Sequence, residues 1–521
     1  MPPLTTPATP ARQELARRTF AALDVHECAP ERLLAWNEHP THDPDGRSVI
    51  YWMARAQRGE HNLALDSAIA AARALDLPLV VVFRLVAGPT GTEARHVDHV
   101  LRGLGDAFDS CRARGAHVVM VHRGGPTVDT VAARDALHAA LVITDEDVMP
   151  RARRGRAAVA ARLGVPLVSV DADVIVPGAV LGKREYAART IRPRIHRVLA
   201  TFDRELGHDH SGPRPPDRGL PASASSLRDV TVFGPASDAA TDIDPTRHLA
   251  DAIAAGTPQL AGPVTGIGFG AVAARSRVRE FVDRELAGYA TRRNKPELDA
   301  TSRLSHSLHL GHLSVHEAVG QARASDAPAE DVAAFVEELV VRRELAWNFV
   351  RWNPDASSLA GAPDWARKTL ALHASDPREW SYSWDQLEHG DTHDPLWNAS
   401  QRQLVARGHM HGYVRMYWAK KLLEWHADPA EAFDVALRLN DRWQLDGRDP
   451  NGIVGVAWAI AGVHDRPWTE RPIFGQVRYM SLASTGRKFD SRAYVARWGG
   501  LRGAALIDPG WYASATPSLL D

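Results

Sequence analysis

The order of secondary-structure signals changes once along the chain, and this change constrains the fold more than any other feature. The first part contains five continuous apolar runs, SVIYWM (48–53), LPLVVVFRLV (77–86), AHVVMVH (116–122), ALVIT (140–144) and VPLVSVD (165–171). Helical patterns lie between them, at 61–75 and 94–114. Uninterrupted runs are typical of strands buried in a parallel sheet, and their alternation with helices predicts a doubly wound α/β domain.

The second part has no strand signal after about residue 270. Helical patterns cover 273–288, 314–324, 329–350, 397–407, 411–426 and 429–443. A polar segment rich in Pro, Gly and Ser separates the two parts, and its length favours a domain boundary. We therefore predict a disordered tail at 1–20, a Rossmann-like parallel-sheet α/β domain at 21–204, a linker at 205–265, a larger all-α domain at 266–505 and a C-terminal tail at 506–521. GIGFG at 266–270 follows no strand, so it predicts a turn.

Charge and composition exclude several classes of protein. Lys and Arg number 62 against 63 Asp and Glu, and a net charge of −1 argues against a protein that coats DNA nonspecifically. The chain has neither an apolar run long enough for a membrane helix nor the apolar core of a signal peptide. Cys28 and Cys111 belong to no CxxC pattern, and we expect two reduced thiols. We expect a cytoplasmic monomer with no membrane partner.

Tryptophan is distributed unevenly. Of the 15 Trp residues, 13 lie from Trp347 onward, although aromatic residues make up only 7% of the chain. Trp418 and Trp425 are two helical turns apart, which places them on one face of a helix at a separation of roughly 10 Å. This pattern fits core packing, and it equally fits a series of redox-active rings between the surface and a buried electron acceptor.

Several sequence blocks in the second part carry a family resemblance. THDPLWNASQ (392–401), MHGYVRMYWAKKLLEW (410–425), LNDRWQLDGRDPNG (439–452) and GVHDRPWTERPIFGQVRYM (462–480) resemble class II photolyases of the photolyase/cryptochrome family. TSRLSHSLHLGH (301–312) resembles the flavin-phosphate block of the wider family. In the first part, YWMARAQR (51–58) and REYAARTIRPRIH (184–196) also look like class II sequence. The resemblance extends over nearly the whole chain and implies that the all-α domain binds FAD.

The resemblance also implies roles for the residues around the flavin ring. Trp418 would lie nearest the flavin, with Trp397 in the middle and Trp425 outermost in a photoreduction chain. Asn440 would face flavin N5, where a neutral amide avoids the repulsion that a carboxylate would exert on an anionic flavin; the residue pattern alone also allows a helix C-cap. Arg415 and Asp446 would form a salt bridge over the isoalloxazine ring.

The flavin pyrophosphate would be held by the segment Thr301, Ser302, Arg303, Leu304 and Ser305, with Tyr289 stacking nearby. The residues alone also fit a helix N-cap series, because hydroxyls and free amides at a helix start bind phosphate. His306 stands where the family usually has Pro, and this substitution is expected to alter flavin affinity. The family often carries an antenna chromophore such as a deazaflavin, but ITDEDVMPRARR (143–154) departs from the expected form and leaves the antenna open.

A third set of residues would contact damaged DNA. Glu338 would hydrogen-bond the 3′ base of the lesion, Met416 would pack against it, and Trp458 would form a stacking wall. The pocket mouth would include Arg293 and Asn294, while Trp468 and Arg478 would enter the gap that the extruded bases leave in the duplex. Arg342 lies four residues after Glu338, which also fits an ordinary ion pair on one helix face.

The resemblance implies light-driven repair of pyrimidine dimers. Reduced, anionic FAD would donate an electron to a flipped cyclobutane dimer and recover it after the bonds break, so the enzyme would be a carbon–carbon lyase. The main alternative is a cryptochrome-like light sensor, which would share FAD and the Trp series without repair. A third is a catalytically silent DNA-binding module, which would not need the three Trp. No metal-binding motif occurs.

Overall fold

The computed structural model describes residues 10–39, 41–85, 92–121, 126–203, 214–226, 230–233 and 243–500. Its first part is built on a seven-stranded sheet with the order β1-β6-β5-β2-β3-β4-β7. The strands are β1 (Leu33–Ala35), β2 (Ser48–Met53), β3 (Leu79–Arg84), β4 (His117–Val121), β5 (Ala139–Asp145), β6 (Leu167–Val170) and β7 (Val230–Phe233). The five apolar runs of the sequence form β2 to β6, which are parallel to one another. The predicted doubly wound sheet is therefore confirmed.

Helices cover both faces of this sheet. The helices of the first part are α1 (Pro10–Ala21), α2 (Leu63–Ala74), α3 (Ala94–Ala113), α4 (Pro126–Leu137), α5 (Pro150–Leu163), α6 (Gly178–Leu181) and α7 (Ala188–Phe202). One apolar core contains residues of α2 and α3, and a second on the opposite face contains residues of α4 and α5. Burial on both faces explains why the central strands have no polar alternation.

Two boundary predictions need correction. Residues 10–20 were expected to be disordered but form α1, because Ala16 and Phe20 are buried in the first core. The expected linker at 205–265 contains β7, which pairs antiparallel with β4 at the edge of the sheet. It also contains a helix, α8 (Pro245–Ala254), whose Leu249 and Ala252 are buried in the same core. The sequence pattern did not indicate this short apolar strand and single helix, because Pro- and Ser-rich residues surround both of them.

The described residues from 266 onward are helical, as predicted. The helices are α9 (Gly270–Arg284), α10 (Tyr289–Arg292), α11 (Ser305–His309), α12 (Val315–Arg323), α13 (Ala329–Val336), α14 (Arg343–Trp352), α15 (Asp364–Leu372), α16 (Trp384–His389), α17 (Pro395–Arg407), α18 (Gly412–Trp425), α19 (Pro429–Trp443), α20 (Pro450–Ala461), α21 (Leu482–Gly486) and α22 (Ser491–Trp498). A π-helical segment, Glu337–Arg342, joins α13 to α14, so the predicted helix 329–350 is not one uniform α-helix. GIGFG leads as a loop into α9, and the predicted C-terminal tail at 506–521 lies outside the described residues.

The two parts share an apolar core. Ile191 and Ile195 of α7 are buried together with Val278 and Phe281 of α9. Arg55, which follows β2, bonds to Asp449 at the start of α20. None of the helices in the described ranges is both long and apolar enough to cross a membrane.

Candidate functional site

Three tryptophan side chains form a continuous series of rings inside the all-α part. Trp397 lies on α17, and Trp418 and Trp425 lie on α18. The ring centroids of Trp397 and Trp418 are 6.1 Å apart with the planes 7° from parallel. The centroids of Trp397 and Trp425 are 5.2 Å apart at 66°. The structure thus places Trp397 between the other two, in the order expected for an electron relay.

Hydrogen bonds fix the two inner rings. Trp397 Nε1 donates to the backbone oxygen of Trp418 at 3.0 Å. Trp418 Nε1 donates to Gln401 Oε1, also at 3.0 Å, and Gln401 lies one turn after Trp397 on α17. Because each indole has one donor and that donor is satisfied, the rings are held in a single orientation. Gln401 is part of a recognised block, but its role depends on a contact between two helices.

The expected outermost ring is not at the surface. Trp425 is only 2% exposed. The rings of Tyr382 and His393 lie 4.9 and 5.8 Å from it, edge-on in both cases. Trp380, 42% exposed, stacks on His393 at 4.3 Å. Aromatic contacts therefore continue from the last buried tryptophan to solvent.

Asn440 carries an unsatisfied polar atom in the core. Its Nδ2 donates to Asp441 Oδ1 at 3.0 Å, whereas its buried Oδ1 has no partner among the described residues. The alternative interpretation as a helix cap is wrong, since α19 continues to Trp443 and Gln444 is the C-cap. A Cβ at Gly452 would lie 2.8 Å from Asn440 Nδ2, so the amide occupies space that only glycine leaves open.

The expected ion pair between Arg415 and Asp446 does not form among the described residues. Both charged groups instead act on the imidazole of His409. Burial lowers the pKa of His409, the Asp446 carboxylate raises it and the Arg415 guanidinium lowers it. The buried Nε of Arg415 has no hydrogen-bond partner in the part of the chain that the structure describes. The two side chains thus share a neighbourhood, but their direct pairing is a correction to the sequence-based expectation.

The segment 301–305 precedes a very short helix. α11 begins at Ser305, and its N-cap Leu304 makes no side-chain capping bond. The buried Oγ1 of Thr301 has no hydrogen-bond partner within the described ranges, so the capping alternative leaves this hydroxyl unexplained. Ser302 accepts a bond from Arg277 Nε through its backbone oxygen at 3.0 Å. Arg303 has a φ of 56°, and its guanidinium pairs with Asp299 at 2.8 Å.

These unsatisfied atoms fit a flavin dinucleotide. Most buried polar atoms in native proteins have a hydrogen-bond partner, so an atom without one is open to a partner such as water, an ion or a bound group. The Thr301 hydroxyl could donate a hydrogen bond to a phosphate, and the Arg415 guanidinium could bind a negatively charged ring. The Asn440 amide oxygen could accept a hydrogen bond from a ring N–H. Residues of the described part include no group of three or more His, Cys, Asp or Glu placed to hold a metal ion.

His306, at the position where proline was expected, contacts the first part of the chain. Its Nδ1 lies 3.3 Å from His99 Nε2 on α3, and the two rings are 5.0 Å apart. Burial lowers the pKa of His306 to about 4. The imidazole is therefore neutral at physiological pH and serves as a polar contact between α11 and α3.

Glu338 is held in the π-helical segment and paired with Arg293. The Arg293 Nη2 to Glu338 Oε1 distance is 2.6 Å, and the Arg293 guanidinium also lies 5.7 Å from the Tyr289 ring centre. His411 Nδ1 accepts from the backbone of Tyr413, so its Nε2–H donates to Arg293 O at 2.8 Å. Two expected DNA-facing residues, Glu338 and Arg293, are thus brought together.

The alternative interpretation of Glu338 and Arg342 as an ion pair is wrong. Arg342 is exposed and lies 3.4 Å from Glu337 instead. The π-helical turn pairs residues five apart, whereas an α-helix would pair residues four apart. Asn294 is exposed beside Arg293. Segments of π-helix often occur at functional sites, which agrees with the role expected for Glu338.

Two half-buried side chains face the same region from α18 and α20, helices that pack against each other. Met416 Cε would lie 3.5 Å from a Cβ placed at Gly455 of α20. Trp458, also on α20, lies over the buried Lys420, whose Nζ is 5.0 Å from the indole centre and donates to Ala459 O. Burial lowers the pKa of Lys420 to about 7. The sequence did not indicate Lys420, because this residue differs from the adjacent Lys421 only in the groups that its side chain packs against.

Trp468 and Arg478 stack on each other in the loop at 464–480, which we call the Trp468 loop. The Arg478 guanidinium carbon lies 4.2 Å from the Trp468 ring centre and 5.4 Å from that of Trp458. Asp465 accepts two bonds from Arg478, at 2.7 and 3.1 Å, and lies 3.4 Å from Trp468 Nε1. Trp468 is 38% exposed. Asp465 was not predicted, and it holds the stacked pair at the surface.

Comparisons with known proteins agree with this arrangement. A family model described as DNA photolyase matches residues 49–216. A deoxyribodipyrimidine photo-lyase of Methanothermobacter thermautotrophicus is 39% identical over 463 residues, which are 88% of this chain and 96% of that protein. The enzyme of the same name from Potorous tridactylus is 40% identical and is covered over 80% of its length, with 85% of this chain matched.

Solved structures show the same fold at low sequence identity. A bacterial class III photolyase from Agrobacterium tumefaciens superposes with a TM-score of 0.60 at 19% identity, covering 91% of this chain and 90% of that one. A Synechocystis cryptochrome superposes with a TM-score of 0.63 at 16% identity, covering 90% and 92%. Both agree with an α/β domain followed by a helical domain.

Proposed function

The chain belongs to the DNA photolyase family, whose members generally bind FAD and act on DNA, and from this premise we propose that it splits cyclobutane pyrimidine dimers with light. The observation that carries the proposal is the contiguous series of Trp418, Trp397 and Trp425 rings, together with the buried Nε of Arg415, which lies three residues before Trp418 on α18 and has no hydrogen-bond partner among the described residues. Relatives 39–40% identical bear the name deoxyribodipyrimidine photo-lyase. Class II membership is part of the proposal and rests on the sequence blocks.

Reduced FAD, when bound and excited, would supply the electron that opens the dimer. The protein contributes position and charge. Thr301 Oγ1 would donate to a phosphate oxygen, and Asn440 would offer its amide oxygen to flavin N5 without adding negative charge. The Arg415 guanidinium would stabilise the anionic ring. Thr301 Oγ1, Asn440 Oδ1 and Arg415 Nε are buried, and no described residue forms a hydrogen bond with any of them.

The three indoles would restore the reduced cofactor after oxidation. Trp397 contacts both Trp418 and Trp425, so each transfer would cross only neighbouring rings. Their burial excludes water, and the hydrogen bonds to Trp418 O and Gln401 prevent the two inner rings from rotating. Tyr382 and His393 would carry the series toward the exposed Trp380.

The lesion would enter between Glu338 and Trp458. The 2.6 Å pair between Glu338 and Arg293 would open as the bases arrive, which frees the carboxylate for a base N–H and the guanidinium for a phosphate. Met416 and Trp458 would supply the apolar wall. Extruding two bases costs a few kcal/mol, and a damaged pair costs less. Trp468 and Arg478 would offset this cost by occupying the gap in the duplex.

The decisive experiment illuminates the chemically reduced protein with an oligonucleotide that contains one thymine dimer. We expect monomeric thymines to appear only in the light, and purified protein to show flavin absorbance. Glu338→Gln should lower the repair yield without removing the flavin absorbance. Protein that takes up FAD but leaves the dimer intact under light would overturn the proposal and favour a photoreceptor.

A further inference from the structure

The segment 183–197 of the first part carries exposed cations that the proposed function leaves unused. Lys183, Arg184, Arg189 and Arg197 are exposed. Their neighbours Arg192 and Arg194 pair with Glu337 and Glu185, but the described residues provide no carboxylate within ion-pair distance for these four. In a chain with a net charge of −1, four unpaired cations in one short segment create a local positive surface.

This segment contacts the base of the Trp468 loop. The phenol of Tyr186 donates to the backbone oxygen of Asp465 at 2.8 Å, and Asp465 holds both Arg478 and Trp468. The Arg184 guanidinium lies 5.9 Å from the Phe349 ring centre, and that ring is 5.5 Å from the ring of His464. Tyr186 therefore contacts the residue that holds Trp468 and Arg478, and Lys183 and Arg184 precede Tyr186 in the same segment.

The helix that follows reaches the lesion side of the site. Arg192 Nη2 lies 2.6 Å from Glu337 Oε1, and Glu337 precedes Glu338. Arg189 is three residues before Arg192, so the two side chains are neighbours on α7, while Ile191 and Ile195 of the same helix are buried. The helix thus presents cations near the residues expected to contact the lesion, and its isoleucines anchor it in the shared core.

We propose that Lys183, Arg184 and Arg189 form a phosphate-binding surface for double-stranded DNA flanking the lesion. The inference rests on the proposed function, because it extends the same DNA path from the helical part onto the α/β part. Guanidinium and ammonium groups without acidic partners are the side chains that bind backbone phosphates. Their continuity with the Trp468 loop favours duplex DNA beyond the gap over an unrelated acidic partner.

The test compares two triple variants with the same change in charge. Lys183→Gln/Arg184→Gln/Arg189→Gln removes the proposed surface. Arg73→Gln/Arg154→Gln/Arg162→Gln removes three exposed arginines of α2 and α5, for which the described residues likewise provide no ion pair. Binding is measured with a dimer-containing duplex that extends about 10 base pairs beyond the lesion on each side, and with a short single strand containing the same dimer.

We expect the first variant to lose about tenfold or more in duplex affinity. The slope of log affinity against log salt should become shallower by about one for each phosphate that the variant no longer neutralises. Its affinity for the short single strand should stay unchanged. Equal losses in both triple variants, or no loss in the first, would overturn the inference while leaving the proposed function intact. Wild-type protein that binds damaged and undamaged duplexes equally would count against the proposed lesion recognition itself.

Discussion

At the scale of single residues, substitution of Trp397, the middle of the three indoles, is the strictest test of the proposed electron relay. Trp397 contacts both other rings, so Trp397→Phe should abolish light-driven reduction of oxidised FAD while repair by chemically pre-reduced protein persists. Flavin absorbance during illumination measures the first effect. Trp443→Phe is the matched control, because Trp443 is equally buried but bonds to Glu388 and is not one of the three stacked rings. Normal photoreduction in the Trp397 variant would contradict the relay.

Glu344 is the residue whose ionisation should affect stability most clearly. Burial raises its pKa from 4.5 to about 8, although Oε1 accepts bonds from the backbone of Ile175 and Val176 at 2.8 and 3.2 Å. The folded state therefore binds the proton more tightly than the unfolded state does. This contribution to stability is complete below pH 4.5 and is lost as the pH rises toward 8.

Replacing Glu344 with glutamine should remove this contribution to the pH dependence of stability. Glu344→Gln preserves an acceptor for both backbone donors but cannot ionise. The urea midpoint of the wild type should fall between about pH 5 and about pH 8, and that of the variant should fall less. Parallel pH profiles would show that Glu344 ionises equally in the folded and unfolded states.

At the scale of elements, α20 approaches α19 and α18 through glycines. Gly452→Ala would place a Cβ 2.8 Å from Asn440 Nδ2, and the amide must turn away. Alanine is favoured over glycine within a helix by about 1 kcal/mol, so stability should be preserved or increased. We expect weaker FAD binding, measured by titration with flavin fluorescence. Gly455→Ala is the control, since its Cβ would make an ordinary 3.5 Å contact with Met416 Cε.

The elements show which features the sequence could predict. The central strands and the helices carrying Trp397 and Trp418 were predictable because continuous apolar runs and helical periodicity are local signals. The π-helical segment was not, and it changed the partner of Arg342 from Glu338 to Glu337. β7 was missed because a four-residue strand is defined by its pairing with β4.

In the site, too, the features predicted from local sequence agree with the structure, and those that depend on contacts between distant residues were missed. The order of the three tryptophans followed from the resemblance and agrees with the ring distances. Asp465 lies in a recognised block, yet its bonds to Arg478 span 13 positions and have no periodic signal. Arg415 and Asp446 form no ion pair among the described residues, and both charges instead act on the pKa of His409, which sequence spacing could not indicate.

At the scale of the whole molecule, the two parts are joined by a buried charge network that reaches the site. Arg55, next to the sheet, bonds to Asp173 at 3.1 Å and to Asp449 at 2.5 Å. Asp449 also caps α20 through a 2.9 Å bond from Asn451 N and lies 3.1 Å from His309. Because α20 carries Trp458, the position of this side chain, the proposed wall of the lesion pocket, depends on a residue of the α/β part.

Removing Arg55 should therefore destabilise both parts together. Arg55→Gln leaves the buried Asp449 carboxylate without its guanidinium partner, while Asp173 keeps its ion pair with Arg58, and breaking a buried ion pair in this way costs about 3–5 kcal/mol. Adding Asp449→Asn should recover part of the loss, since asparagine also caps helices and carries no charge. Arg18→Gln, which breaks the exposed pair with Glu14, should cost less than about 1 kcal/mol. Urea unfolding measures all three, and an Arg55 variant as stable as the Arg18 variant would show that the network does not couple the two parts.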